Sequence, residues 1–516
     1  MTEKSKPTGV FDISDAKGVN ESERLLMRLC RKSFLTLWSY ANLHTDAGIQ
    51  NGKGSAKEFI DVLVVFGDDI ILFSDKHIIF NEAKPLDLAW KRWYKRAVEE
   101  SAEQLYGALN WLRRFPERLF LDAQCTRPLP VKLPPPDRAR YHLVAVTRGS
   151  LEACAKHYPG SIGTLKIQSD LEGEAQLQTP FTIGVLDRTK TFVHVLDEFS
   201  LEVVLGELDT APDFVAYLRA RESVLSDPTM TVMAAGEEQL ISAYLVSWNG
   251  KERSLIPRID GDEKPDIIWF DESHYLGLQK RPEYQKKKLA DTQSYYWDEI
   301  IERFIKLGDP KTVHPDFQQK NDETEQALRV MAEESRFRRR ILVESIMGLL
   351  HAARAEPGRR RARVITTKEK PELVYVFLTV PKTVEKTYED YQQHRAAVLH
   401  AYCRCAKLKF PEGTTFIGIG FDHPAKDYKG SSEVLLIYTC EKFTDEARAE
   451  AERFRKDLGI LGDDLPMHNV HDDEFPKSTH IMKQLTNRIN NAEKLKKKAA
   501  HKAQIAKASR KRNRKK

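Results

Sequence analysis

The chain has 516 residues, 41% of them hydrophobic and 31% charged, enough to build several buried cores in a soluble protein. It has no apolar run long enough to cross a bilayer, and the polar opening MTEKSKPTGVFDISDAKG lacks the apolar centre of a signal peptide, so membrane and secreted classes are not expected and a cytoplasmic location is. Net charge is +6, but residues 493–516 hold 12 lysines or arginines against one acid, which leaves the remainder of the chain net negative. Six dispersed cysteines at 30, 125, 154, 403, 405 and 440 form no CxxC and no zinc spacing, consistent with reduced thiols.

After a polar arm at 1–19, Glu21 and Glu23 open a helix through Leu25, Leu26, Leu29, Phe34 and Leu37, with apolar spacings of three and four. Asn20 or Ser22 suits the cap, and acids suit a first turn. The stretch EFIDVLVVFGDDIILFSDK at 58–76 then reads as strand, tight turn and strand. Asp61 opens the first strand and Lys76 ends the second. Side-chain alternation puts Ser74 and Lys76 on one face and Asp75 on the other. A long helix follows over 86–114 and carries Gln104. Short strands are expected at 119–121 and 141–146, with a proline-rich loop between them.

Phosphodiester hydrolysis calls for carboxylates that hold a divalent ion and a cation near the attacking water or the scissile phosphate. Helix, strand, hairpin, helix and strand is also the order of an αβββαβ restriction-endonuclease-like core. Over residues 20–150 the chain resembles the nuclease-related (NERD-like) branch of the PD-(D/E)xK superfamily. That resemblance implies a metal site with Glu23 from the first helix (Glu21 in reserve), Asp61 from the strand, Lys76 as the lysine and Gln104 as the supporting glutamine. Ser74 stands where the family usually has an acid, so the resemblance implies that Glu58 or Asp75 compensates. The expected cofactor is Mg2+ or Mn2+. Each position also has an ordinary structural reading: Asp61 as a strand start, Lys76 as a solvated strand end, Glu21 and Glu23 as helix openers, and Gln104 as a bridge on a helix face.

Strands at 163–168, 181–186 and 191–196 and a helix at 211–225 complete an expected nuclease unit over 20–225, with a boundary at Ser226-Asp227-Pro228. An aromatic-rich middle region, 229–310, offers Trp269, Tyr275, Tyr284, Tyr295, Tyr296 and Trp297 to base stacking or to a core. In the unit 311–480, one helix is expected over 322–355. Its arginines 336, 338, 339 and 340 suit phosphate, or a solvated face paired with Glu333, Glu334 and Glu344. An α+β pattern follows, with strands at 373–380, 414–420 and 433–439 and helices at 386–406 and 444–456. His468, His471, Asp472 and Asp473 match no metal spacing. The class is therefore α/β, α+β overall.

The tail at 493–516 cannot bury a core, and its Lys496, Lys497, Lys498, Arg510, Lys511, Arg512 and Arg514 are candidates for salt-sensitive, sequence-blind contact with nucleic acid. The chain lacks a GxxxxGK[ST] phosphate loop, a GxGxxG after a strand, a GxSxG elbow and a solenoid-length repeat. The expected function is metal-dependent cleavage of nucleic acid, DNA favoured, in genome defence or DNA processing, with a possible protein partner for targeting. The alternatives are a noncatalytic nucleic-acid-binding or scaffold protein that kept the fold, and an RNA- or ribosome-associated factor in which only the tail matters.

Overall fold

The computed structural model describes residues 11–13, 16, 18–50, 53–247, 252–256, 265–307, 321–382, 387–424, 433–462 and 473–475; the side chains of 50, 53, 307 and 321 are left aside. The chain is α+β, as its pattern predicts. Helix α1 (Glu21–Trp38) leads into strand β1 (Ser39–Ala41), and β2 (Val62–Phe66) and β3 (Asp69–His77) form the expected hairpin around Gly67, whose φ of +60° suits glycine. Helix α2 (Leu86–Tyr94), a π-helical turn at Lys95–Glu99 and α3 (Glu100–Arg114) together make up the long helix predicted over 86–114. Strand β4 (Arg140–Arg148) pairs parallel with β3 along its whole length.

The first sheet runs β1-β2-β3-β4 and closes on a later strand, β7 (Val193–Asp197), which is parallel to β4. Both of its faces are covered, so β2 and β3 are near-continuous apolar runs with no polar alternation. Phe73 of β3 packs at 6.4 Å from Phe34 of α1 and 6.3 Å from Phe214, placing the odd-numbered residues of β3 on the α1 face. Ser74 meets Gln104 of α3, placing the even-numbered residues on the other. The predicted strand at 119–121 is reduced to a bridge at Phe120, which pairs with His44 and Pro128; the prolines around it leave no room for a longer ladder.

A second sheet takes β5 (Lys166–Glu172), β6 (Thr182–Val185), β8 (Thr231–Ala234) and β9 (Ile267–Phe270), in the order β6-β5-β8-β9. Helix α4 (Ala211–Leu225) ends just before Ser226–Pro228, and this sheet draws strands from both sides of that point. Farther along, two helices, Pro282–Asp291 and Tyr295–Leu307, are joined by a short 3-10 turn. Of the middle-region aromatics, Tyr275, Tyr284 and Trp297 are core residues, while Trp269 stands exposed.

The helix expected over 322–355 is likewise two helices, Asn321–Ala332 and α5 (Arg336–Ala355), with Ser335 capping the second by accepting from the Arg338 amide. A third sheet follows with β10 (Arg361–Ile365), which the sequence reading missed, β11 (Leu373–Thr379), β12 (Thr415–Phe421) and β13 (Val434–Thr439), in the order β10-β11-β12-β13. Helices α6 (Tyr388–Lys409) and α7 (Asp445–Leu458) cover one face, and Tyr375 and Phe377 carry the other onto Trp297. Among the described residues, no helix is long and apolar enough to cross a membrane.

Three of the four clustered arginines of α5 meet neither a phosphate surface nor a solvated face. Arg336, Arg339 and Arg340 are buried. Arg336 donates to Asp209 Oδ1, to the Asp209 carbonyl and to Asp298 Oδ2, each at 2.8 Å. Arg339 donates to Asp298 Oδ1 at 2.6 Å, and Arg340 to Asp291 Oδ1 at 3.2 Å. Only Arg338 keeps the expected kind of neighbour, Glu334. Arg336→Ala leaves Asp298 to Arg339 alone and Asp209 to Lys32 and Tyr295, so it should cost about 3 kcal/mol of stability, the low end for a broken buried pair. By contrast, the exposed Arg359→Ala should change stability by less than about 0.5 kcal/mol. Urea unfolding of both variants measures the difference, and equal midpoints would remove the network from the account of stability.

Candidate metal site

The start of α1 fixes the first acid. Asn20 Oδ1 accepts from the Glu23 amide at 2.9 Å, and Glu23 Oε2 accepts from the Val19 amide at 2.7 Å. This reciprocal arrangement resembles a capping box, and it holds Glu23 at the helix end. Glu21 is exposed on the same turn.

Asp61 sits at the bend before β2, one position beyond the Val62–Phe73 pair. Its Oδ2 accepts from the Asp75 amide at 2.6 Å, which ties the strand start to the end of β3. The Asp75 side chain is wholly buried and takes a two-pronged pair from Arg148, the last residue of β4, at 2.8 and 3.1 Å. Burial pushes the Asp61 carboxyl up to about 7; the Asp75 amide opposes that, and the charges of Glu23, Asp75 and Glu58 add to it. Asp75 is raised as well, by burial first, with Arg148 opposing and Glu23 adding. Glu58 is exposed on a short strand facing His44.

Glu23, Glu58 and Asp75 each raise the Asp61 carboxyl by their charge, and Asp75 also touches it through its amide. Ser74 Oγ donates to Gln104 Oε1 at 3.0 Å on the other face of β3, and alternation puts Lys76 on that same face. Lys76 is half-buried and, among the described residues, joins no ion pair and no hydrogen bond with Asp61. Sequence reasoning missed Arg148, because nothing marks a strand-ending arginine until the parallel pairing of β3 with β4 sets it beside Asp75. The basic tail with Lys496, Lys497, Lys498, Arg510, Lys511, Arg512 and Arg514 lies outside the described residues, as do His468, His471 and Asp472.

A second cluster was not foreseen either. His142, His194 and Glu222 are, among the described residues, the one group of three whose ligand atoms all lie within 4.8 Å, so the acids around Asp61 are more widely spread. Chemistry argues against a cation at the histidine cluster. Arg221 Nη1 lies 3.3 Å from His194 Nδ1, and a guanidinium only donates, so Nδ1 accepts and Nε2 carries the proton. His142 Nε2 meets Asp69 at 2.8 Å, an acid held well below the usual range by its hydrogen bonds to His142, Arg140 and Arg219 despite the opposing effect of burial. The cluster thus offers one lone pair, one N–H and one carboxyl raised by burial, which is a poor seat for a metal.

A cleft of about 1130 Å3 is elsewhere again. It opens at the Gly67–Asp69 turn among Arg138, Arg140, Arg219 and Arg329, at the opposite end of β3 from Asp75, about 20 Å along the strand. Arg140 and Arg219 pair with Asp69 there, and Arg329 with Glu333, so its cations are already matched. Comparison with family models, curated proteins and solved structures yields no match.

The raised Asp61 carboxyl has a pH consequence. Its folded pKa exceeds the unfolded one, so the native state keeps a proton that the unfolded chain gives up between about pH 4 and 7, and stability falls across that window. Asp61→Asn keeps the shape and removes the titration. It should match the parent near about pH 4 and be the more stable near about pH 8. Thermal unfolding at the two pH values checks this; an equal difference at both would mean that Asp61 is ionised throughout.

Proposed function

We propose that this chain is a metal-dependent nuclease acting on nucleic acid, DNA favoured. The observation that carries the reading is the contact of Asp61 with the Asp75 amide at one end of the hairpin, where the charges of Glu23, Glu58 and Asp75 raise the Asp61 carboxyl. Carboxylate oxygens are the donors Mg2+ or Mn2+ prefers, and Mg2+ needs only one or two of them because it keeps several waters. Asp61 would hold the ion with Glu58 in support, and Glu23, whose oxygens accept from the Val19 amide and from Asn20 Nδ2, would join only by sharing an oxygen with the helix cap. Asp75 is engaged by Arg148 on both oxygens, so its part is to anchor Asp61 through its amide and to add negative charge. A bound divalent ion would supply a water activated for attack and neutralise charge on the phosphate. Lys76 would orient the nucleophile or stabilise the developing phosphorane charge, and Gln104 would support the site through Ser74. The basic tail would hold the substrate backbone. A cytoplasmic role in genome defence or DNA processing, with a protein partner for targeting, belongs to the same proposal.

A second reading has its own support. Ser74, in place of the family acid, is spent on Gln104, and Arg148 already neutralises Asp75. Both favour a noncatalytic nucleic-acid binder that kept the fold.

The test is cleavage of plasmid and single-stranded DNA with Mg2+ or Mn2+. The parent chain should cut, and Asp61→Ala and Lys76→Ala should each lose at least about a hundredfold in rate while binding in EDTA persists. A parent chain that binds but cuts neither substrate with either metal would establish the noncatalytic reading in its place.

A further inference from the structure

Strand β9 ends the second sheet on one side, and among the described strands it pairs with β8 alone. The Asp266 and Phe270 carbonyls accept from the Thr231 and Ala235 amides at 2.8 and 3.0 Å, so residues 266, 268 and 270 turn toward β8. Backbone direction alternates along a strand, which leaves the amides and carbonyls of Ile267 and Trp269 pointing outward from the sheet edge. Their side chains are 64% and 62% exposed, whereas Ile268 and Phe270 are buried. On the same face, β8 sets the half-buried Thr231 beside Ile267 and the half-buried Met233 beside Trp269. The edge strand β10 carries Arg361 and Arg363, charges of the kind that protect an unpaired edge. The run IIWF of β9 has none.

The charge around β9 selects the partner. Residues 260–272 hold six acids and one lysine. Asp266, Asp271 and Glu272 stand exposed at the two ends of the strand. His274 pairs with Asp271 at 3.2 Å, while Asp266 and Glu272 join no ion pair among the described residues. A second copy laid antiparallel on this edge with matched faces would set Asp266 of each copy next to Asp271 of the other. Like charges across a ladder are destabilising, so the acids disfavour self-pairing. A segment with an apolar centre and lysine or arginine at both ends meets them with the opposite sign.

We propose that β9 is a docking edge for an extended basic segment of a partner protein, which joins the second sheet as a further strand. The inference does not depend on nuclease chemistry, and it assigns a surface to the targeting partner named with that reading. Main-chain hydrogen bonds to Ile267 and Trp269 supply affinity, and the alternating side chains supply specificity. In antiparallel addition the residues opposite Ile267 and Trp269 share their face and pack on them, so apolar side chains belong there. Basic residues belong opposite Asp266 and Asp271.

The experiment measures binding of fluorescein-labelled peptides to the full chain by anisotropy, without metal or nucleic acid. One peptide has valine, threonine and isoleucine at its centre and three lysines at each end; a control has glutamates in place of the lysines. The lysine peptide should bind at least tenfold tighter, and raised salt should narrow the difference. Ile267→Pro removes an outward amide and leaves the ladder to β8 whole, so it should weaken binding at least tenfold at an unchanged unfolding midpoint. Asp266→Lys/Glu272→Lys should reverse the preference between the peptides. Parent affinity in Ile267→Pro, equal binding of the two peptides, or binding of neither would overturn the proposal. Light scattering that shows a dimer lost in Trp269→Ser would overturn it in favour of a second copy. Deletion of 493–516 should leave the affinity unchanged; a tenfold gain would make the chain's own tail the occupant and overturn the partner.

Discussion

Arg336 is the interaction on which the arrangement of this chain most depends. Its guanidinium reaches Asp209 in the connection ahead of α4, and Ser294 and Asp298 at the start of the helix Tyr295–Leu307, while its own amide donates to Asp213. One side chain at the start of α5 thus fastens the first sheet, the middle helices and the third sheet to one another. Burying such an ion is unfavourable unless its donors are satisfied, and here the acids and a backbone carbonyl satisfy them. The arrangement specifies geometry as much as it stabilises, because an apolar side chain in that place would not select these partners.

The candidate site shows the opposite use of charge. Glu23, Glu58 and Asp75 act on Asp61 through their charge at one end of the β2–β3 hairpin, and Asp75 has a buried cation, Arg148, to answer it. The fold tolerates the crowding through the Asn20 cap on Glu23, the Asp75 amide on Asp61 and the Arg148 pair. Such groups destabilise the native state at neutral pH, and positions where a fold keeps unfavourable electrostatics are where function is usually found. Structural ion-pair networks also shift carboxyl groups, as Asp209 beside Arg336 demonstrates, but there the opposite charge brings the group down despite its burial, whereas burial sends Asp61 up.

Local signals were the legible part. The β2–β3 hairpin announces itself by two β-branched runs around Gly67-Asp68, and α4, read over 211–225, is present at Ala211–Leu225. The errors cluster where tertiary context intervenes. The pattern over 322–355 is continuous, yet Ser335 caps a new helix there because Arg336 must turn toward Asp209. The same arginines looked like a surface cluster because a linear sequence does not show that Asp298 and Asp209 will close over them. Within the site, Glu23, Asp61 and Asp75 were each visible as acids in fitting elements, while Arg148, 73 residues beyond Asp75, was not.

By itself, then, the sequence determined the class of the fold, the hairpin with its acids and serine, and the alternation that separates Asp75 from Ser74 and Lys76. These follow from short-range periodicity and turn chemistry, which neighbouring residues impose on one another. Only the tertiary structure decided that Asp61 reaches the Asp75 amide, that Arg148 claims Asp75 and that Arg336, Arg339 and Arg340 of α5 are internal. Each of those depends on pairing between segments remote in the chain, where burial and charge complementarity, rather than local pattern, select the partner.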